Sequence, residues 1–195
     1  MSKITNKLIV CITGMPGAGK STIASIAKEL GFMIVNLGDF VRETALNENI
    51  EPTASNLREL MIKLRKKHGE GIIAEMASKN IIESKSKLIV IDGVRSMNEV
   101  NVFQNLGQVK ILSIHASKQV RVKFQTKRGR SDTPKDESGF SKRDNVELEV
   151  GIGESIALAD ETIVNNQIEM NKSLREKGVK VLDPNRMGPC GKKSC

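Results

Sequence analysis

The chain has 195 residues, 38% of them hydrophobic and 28% charged, with a net charge of +8; this is the size and make-up of one globular domain with a full core. It holds no apolar run of about 18 residues, which excludes a membrane-spanning helix. With no Trp, no Tyr and five Phe, it has little means of stacking on bases, so the excess of cations fits a pocket for polyphosphates, with a nucleic-acid surface as the less favoured alternative.

Lys3 and Lys7 precede an apolar run that breaks at Gly14; it is too short for a signal segment, and the chain reads as cytoplasmic. Residues 8–12, Leu-Ile-Val-Cys-Ile, are expected as a buried strand, with Cys11 an inert thiol inside it. Gly14-Met15-Pro16-Gly17-Ala18-Gly19-Lys20-Ser21 follows and fits G-x-x-x-x-G-K-[ST]. From Thr22 to Leu30 the pattern is helical and stops at Gly31. Strand, glycine loop and helix are the context that this pattern requires. The three glycines let the loop turn its amides inward as an anion nest. The helix start adds free donors and a positive dipole end. Lys20 offers a charge to β- and γ-phosphates, and Ser21 a hydroxyl to Mg²⁺. Residues 14–22 are therefore expected to hold a nucleoside triphosphate, ATP with its Mg²⁺.

Four further strands are expected at 32–36, 88–92, 109–114 and 161–165, separated by helical patterns, which argues a parallel sheet covered on both faces. About fifty residues part the second strand from the third. They read as three helices, about 39–48, 53–67 and 70–84, punctuated by Pro52 and His68-Gly69. A helical insertion over 37–86 would stand at the carboxyl edge of the sheet, where open α/β sheets bind ligands, and is expected to bind the acceptor.

Asp92 ends the third strand and is expected, with Ser21, to hold the metal. Arg42 and Arg95 face the acceptor side. Residues 127–143, basic at both ends, read as a short lid delivering Arg128, Arg130 and Arg143 to the phosphates. With Lys20, Arg95 and Asp39, these arginines form the expected catalytic set. Arg121 lies on a helix whose phase alone does not aim it. Asp39 has two readings: a helix cap if the acceptor is a phosphate, or a base if it is a hydroxyl. His68 and His115 are read as structural. Residues 1–183 form the expected domain. Residues 184–195, with Cys190 and Cys195, are expected as a flexible tail, since a C-x4-C pair alone is a weak metal signal.

Gly38-Asp39-Phe40-Val41-Arg42 resembles the helix opening that grips the acceptor phosphate in adenylate kinases. Asp92-Gly93-Val94-Arg95 is similar to their Asp-Gly-x-x-Arg turn, one residue shorter before the arginine. Residues 159–165, Ala-Asp-Glu-Thr-Ile-Val-Asn, resemble a late segment of dephospho-coenzyme A kinases. Together, residues 8–183 resemble an archaeal P-loop family of adenylate-kinase-like and dephospho-coenzyme-A-kinase-like proteins. The resemblance implies an α/β P-loop NTPase fold: a five-stranded parallel core in the order 2-3-1-4-5, an acceptor-binding region and a short lid. It implies ATP and a small phosphorylated acceptor as partners and does not name the acceptor. The rival expectation is a nucleotide-dependent assembly protein with slow hydrolysis, acting on an RNA or protein partner.

Overall fold

The computed structural model describes residues 6–128, 136–165 and 172–183. Strands β1 (Leu8–Thr13), β2 (Met33–Asn36), β3 (Leu88–Asp92), β4 (Gln108–His115) and β5 (Glu161–Val164) make one parallel sheet, ordered β2-β3-β1-β4-β5. Each expected strand matches to within one residue at either end, and the order is the one the resemblance implied.

The central strand shows why an all-apolar run folds this way. Successive side chains of a strand point to opposite faces. Ile9 and Cys11 enter one core with Ile89 and Ile91 of β3; Val10 and Ile12 enter the other with Val90 and Leu112. All four β1 residues are fully buried. A parallel sheet coated on both sides therefore reads as unbroken hydrophobicity rather than alternation.

Helices α1 (Lys20–Glu29) and α9 (Lys172–Val181) close the second core through Ile23, Ile26, Leu174 and Val181. The first core is closed by α2 (Leu37–Asn47), α3 (Ala54–His68), α4 (Ile72–Glu83) and α5 (Met97–Gln104). Val41, Met61, Ile73, Ile81 and Phe103 come from these four helices. The three helices expected between β2 and β3 are thus present, and they share the main core rather than forming an appendage. Helix α3 shows the punctuation. Thr53 caps its start by accepting from the Asn56 amide, Gly69 at φ +102° follows its end, and four basic residues fill the last turn against the negative dipole end.

Between β4 and β5 the chain forms α6 (Lys118–Arg128), α7 (Glu137–Glu149) and α8 (Ile152–Ala157). Of the stretch expected as a lid, residues 127–128 close α6, Asp136 caps α7 and residues 137–143 are its opening turns. Residues 129–135, Arg130 among them, lie outside the described residues, as does the side chain of Arg128. A helix, not a loop, therefore carries Arg143. The Asp136 carboxylate accepts the Gly139 amide at 2.7 Å, which starts that helix inside a stretch whose charges and glycine suggest a loop. Cys190 and Cys195 also lie outside the described residues. No helix among the described residues is long and apolar enough to cross a membrane.

Candidate functional site

The glycine loop runs from the end of β1 into α1, at the carboxyl edge of the sheet. Its glycines are required by close packing. At Gly14, φ is +138° and an added Cβ would stand 2.2 Å from the Ile114 carbonyl oxygen of β4. No side chain caps α1, whose N-cap is Gly19 in the left-handed conformation. The loop is held from outside by three side chains. The Arg121 guanidinium and the Gln125 amide of α6 both donate to the Pro16 carbonyl, at 3.1 and 3.2 Å, and Asn165 after β5 donates to the Ala18 carbonyl at 2.9 Å.

Lys20 folds back over the loop and donates to the carbonyls of Gly14 (2.5 Å) and Met15 (3.3 Å). Desolvation pushes its ammonium down to about 8, helped by Arg95 and Arg143 and opposed by Glu147 and Asp92. The charges that act on this lysine come from separate elements: Asp92 from the end of β3, Arg95 from the turn after it, and Arg143 and Glu147 from α7. Asp92 is buried, in register with Ile12 of β1. Gly93 then turns at φ +92°, and the Val94 amide donates to the Ile12 carbonyl, fixing the turn to the central strand.

Arg95 donates from Nε to Glu147 at 2.7 Å and from Nη1 to the Gly93 carbonyl at 3.2 Å. The pair is largely enclosed, 26% and 13% exposed. Glu147 holds Arg95 firmly charged, against the cost of burial. In return, burial works against the Glu147 carboxylate, but Arg95, Lys20 and Arg143 together outweigh it and hold the group below the usual carboxylate range.

A second layer supports the first. Glu99 of α5, fully buried, accepts the Arg95 amide at 2.8 Å on one oxygen and the Arg65 guanidinium of α3 at 2.5 Å on the other. Asp144 of α7 takes Arg121 through both oxygens, at 2.8 and 2.6 Å. The Thr13 hydroxyl at the end of β1 meets that of Ser155 on α8 at 2.7 Å. Asp160 accepts the Ile111 amide at 2.7 Å and so pins the entry of β5 to β4.

The acceptor side is more open. Asn36, not Asp39, caps α2, because its side chain accepts the Gly38 amide at 2.9 Å. Asp39 lies in the first helical turn, 66% exposed and ion-paired with Arg42 of the same helix. The capping expectation for Asp39 is therefore corrected: the residue that leaves β2 with extended backbone is Asn36. The Arg42 guanidinium lies over Gly38, at the start of the helix. His68 and His115 are exposed, and Cys11 is buried, its thiol pushed up chiefly by burial.

Sequence reasoning placed the loop, Asp92, Arg95 and Arg143 together. It did not place Glu147, Arg121, Gln125, Asp144, Asn165, Ser155, Glu99 or Arg65. One signal for Glu99 is visible: Ser96-Met97-Asn98-Glu99 has capping-box spacing, and the Ser96 hydroxyl does accept the Glu99 amide.

A family model described as an AAA domain matches residues 13–139. A UPF0200 protein of Hyperthermus butylicus is 42% identical over 160 residues, covering 82% of this chain and 86% of that protein. Among solved structures, TT1252 from Thermus thermophilus has a TM-score of 0.62 at 19% identity and covers 93% of this chain and 99% of its own. Shikimate kinase from Bacteroides thetaiotaomicron has a TM-score of 0.58 at 16% identity, covering 92% and 98%. At those identities the likeness shows the fold, that of P-loop kinases. The chain belongs to the AAA domain family and stands with the archaeal UPF0200 proteins.

Proposed function

We propose that the protein is an ATP-dependent phosphotransferase, moving the γ-phosphoryl group of ATP·Mg²⁺ to a small phosphate-bearing acceptor of nucleoside monophosphate or dephospho-coenzyme A type. The observation that carries the reading is the glycine loop at the carboxyl edge of the sheet with Lys20 folded over its carbonyls, where Asp92, Arg95 and Arg143 are among the charges that act on that lysine. A bare binding loop needs Lys20 alone. Cations drawn from a strand turn and a distant helix suit a transferring phosphoryl group, whose charge spreads over three oxygens.

The residues present fit the ligand. The amides of residues 14–22 and the positive end of α1 would take the phosphates, and Lys20 would exchange its two loop carbonyls for phosphate oxygens. Ser21 and Asp92 are oxygen donors suited to Mg²⁺, which keeps its waters and phosphate oxygens as further ligands. Held by Ser21 and Asp92, such a metal would supply neutralisation of the phosphate charge. Arg95 and Arg143 would stabilise charge as transfer proceeds, and Arg128 and Arg130 are proposed to join them from the stretch between α6 and α7. Helices within 37–86 would seat the acceptor against Asp39, Arg42 and Arg95. The protein is taken to work in the cytoplasm, and kinase titles among its structural neighbours agree with the reading.

The test is transfer of labelled γ-phosphate to nucleoside monophosphates and dephospho-coenzyme A, with Lys20→Ala as control. Labelling of one acceptor, lost in the variant, is expected. ATP uptake with no acceptor labelled would favour a nucleotide-driven switch acting on RNA or protein instead.

A further inference from the structure

We infer that helix α7 is a coupling element: through Asp144 and Glu147 it ties the turn after β3 to the glycine loop, so that nucleotide held by residues 14–22 also steadies the turn that carries Arg95. This deepens the reading of those residues as a nucleotide site and rests on it.

The loop meets α6 without slack. An added Cβ on Gly17 would stand 2.8 Å from the Arg121 carbonyl oxygen and 2.9 Å from the Gln125 side chain. The Pro16 carbonyl takes both the Arg121 guanidinium and the Gln125 amide. Packing this close transmits a displacement rather than absorbing it. Lys20 donates to the carbonyls of Gly14 and Met15, next to Pro16, and phosphates that drew it away would shift this part of the loop.

From α6 the link passes to α7. Arg121 gives Asp144 two parallel hydrogen bonds, at 2.8 and 2.6 Å, and the pair is 8% and 16% exposed. A fork of this kind fixes direction as well as distance. Glu147 stands three residues on, along the same face of the helix. It accepts Arg95 Nε at 2.7 Å, and the same guanidinium donates to the Gly93 carbonyl within the turn. Gly151, between α7 and α8, meets the turn a second time: an added Cβ there would lie 3.7 Å from the Ser96 Cβ and 3.9 Å from the Arg95 carbonyl oxygen. One helix thus holds the loop side with Asp144 and the turn with Glu147.

Linkage gives the sign. An opening of the turn that releases Glu147 frees α7, and a freed α7 no longer steadies Arg121 against the loop. Nucleotide bound to the ordered loop makes that opening costlier. The amides of the turn are then better protected: that of Val94, bonded to the Ile12 carbonyl, and that of Arg95, bonded to Glu99. Asp144 and Glu147 act through arginines and are positioning residues, not catalytic ones. The Val94–Ile12 bond offers β1 as a shorter path to the same turn, and variants of α7 separate the two paths.

The experiment is amide hydrogen exchange of the full chain, read by NMR, with and without a saturating non-hydrolysable ATP analogue and Mg²⁺. In the wild type, exchange at Val94 and Arg95 is expected to slow by about threefold or more on binding. That ratio should fall to near unity in Asp144→Asn and in Glu147→Gln, each brought to saturation with nucleotide. Glu149→Gln, which alters an exposed carboxylate of the same helix, should keep it. Nucleotide uptake with no slowing at the turn in the wild type would overturn the inference and leave the nucleotide site standing. So would full slowing in either α7 variant, which would assign the effect to β1. No uptake by the folded wild type would overturn both.

Discussion

Arg121 and Asp144 join helix α6 to α7 through two parallel hydrogen bonds, and the same guanidinium reaches the Pro16 carbonyl of the glycine loop. One side chain thus binds the loop to the helix that carries Arg143 and Glu147. The fork geometry is specific to arginine, since a lysine is a point charge on a flexible stem. Arg121→Lys is expected to weaken ATP binding about tenfold, a change of about 1.4 kcal/mol. Arg121→Ala should in addition cost about 3 kcal/mol of stability, because Asp144 is left largely enclosed without its partner. Urea denaturation beside a nucleotide titration separates the two effects. Equal ATP affinity in Arg121→Lys and the wild type would show that the loop does not depend on this tether.

The Arg65–Glu99 pair is enclosed more completely, at 4% and 0% exposure. Arg65→Ala would strand a buried carboxylate and is expected to destabilise by about 3–5 kcal/mol. Replacing the pair together, Arg65→Met with Glu99→Leu, should restore most of that stability, since hydrophobic replacements of similar volume often match a buried ion pair. Transfer activity should stay low in the double variant, because the Arg95 amide loses its acceptor. Denaturation midpoints and initial rates on the same samples check both halves. Recovery of activity along with stability would mean that Glu99 supports the fold alone.

Strands could be read because parallel strands buried on both faces are continuous apolar runs, and residues 8–12 and 88–91 are such runs. The loop could be read because its motif is local: eight consecutive residues and two flanking elements. Glu147 could not, since Asp144, Glu147 and Glu149 look alike along an exposed-looking helix, and only a contact spanning 52 positions singles one out. Arg121 lies 105 residues from Pro16, among other cations of α6. Asp39 misled for a related reason. It is a good capping type at a helix opening, but Asn36, three residues earlier, already had the extended backbone that a cap needs.

Lys20 gives a pH prediction. Its ammonium titrates at about 8 in the loop, against 10.5 for an ordinary lysine. The folded chain therefore holds fewer protons than the unfolded one between these values. Stability contributed by this group rises with pH across that window and is absent well below it. Phosphates would draw the proton back. At pH 8.5, binding ATP should take up a fraction of a proton from buffer, and affinity should decline as pH rises beyond 8. Calorimetry in two buffers of different ionisation enthalpy measures the uptake. Zero uptake at pH 8.5 would mean that Lys20 is already fully charged in the free loop.

The central claim is that residues 14–22 grip a triphosphate and its metal through main-chain amides and Lys20. Isothermal titration of the folded protein with ATP, with and without Mg²⁺, and of Lys20→Ala under the same conditions, tests it most directly. The account predicts saturable binding that strengthens with Mg²⁺ and falls at least 100-fold in the variant. Absence of magnesium-linked heat in the wild type, with GTP as well as ATP, would contradict it.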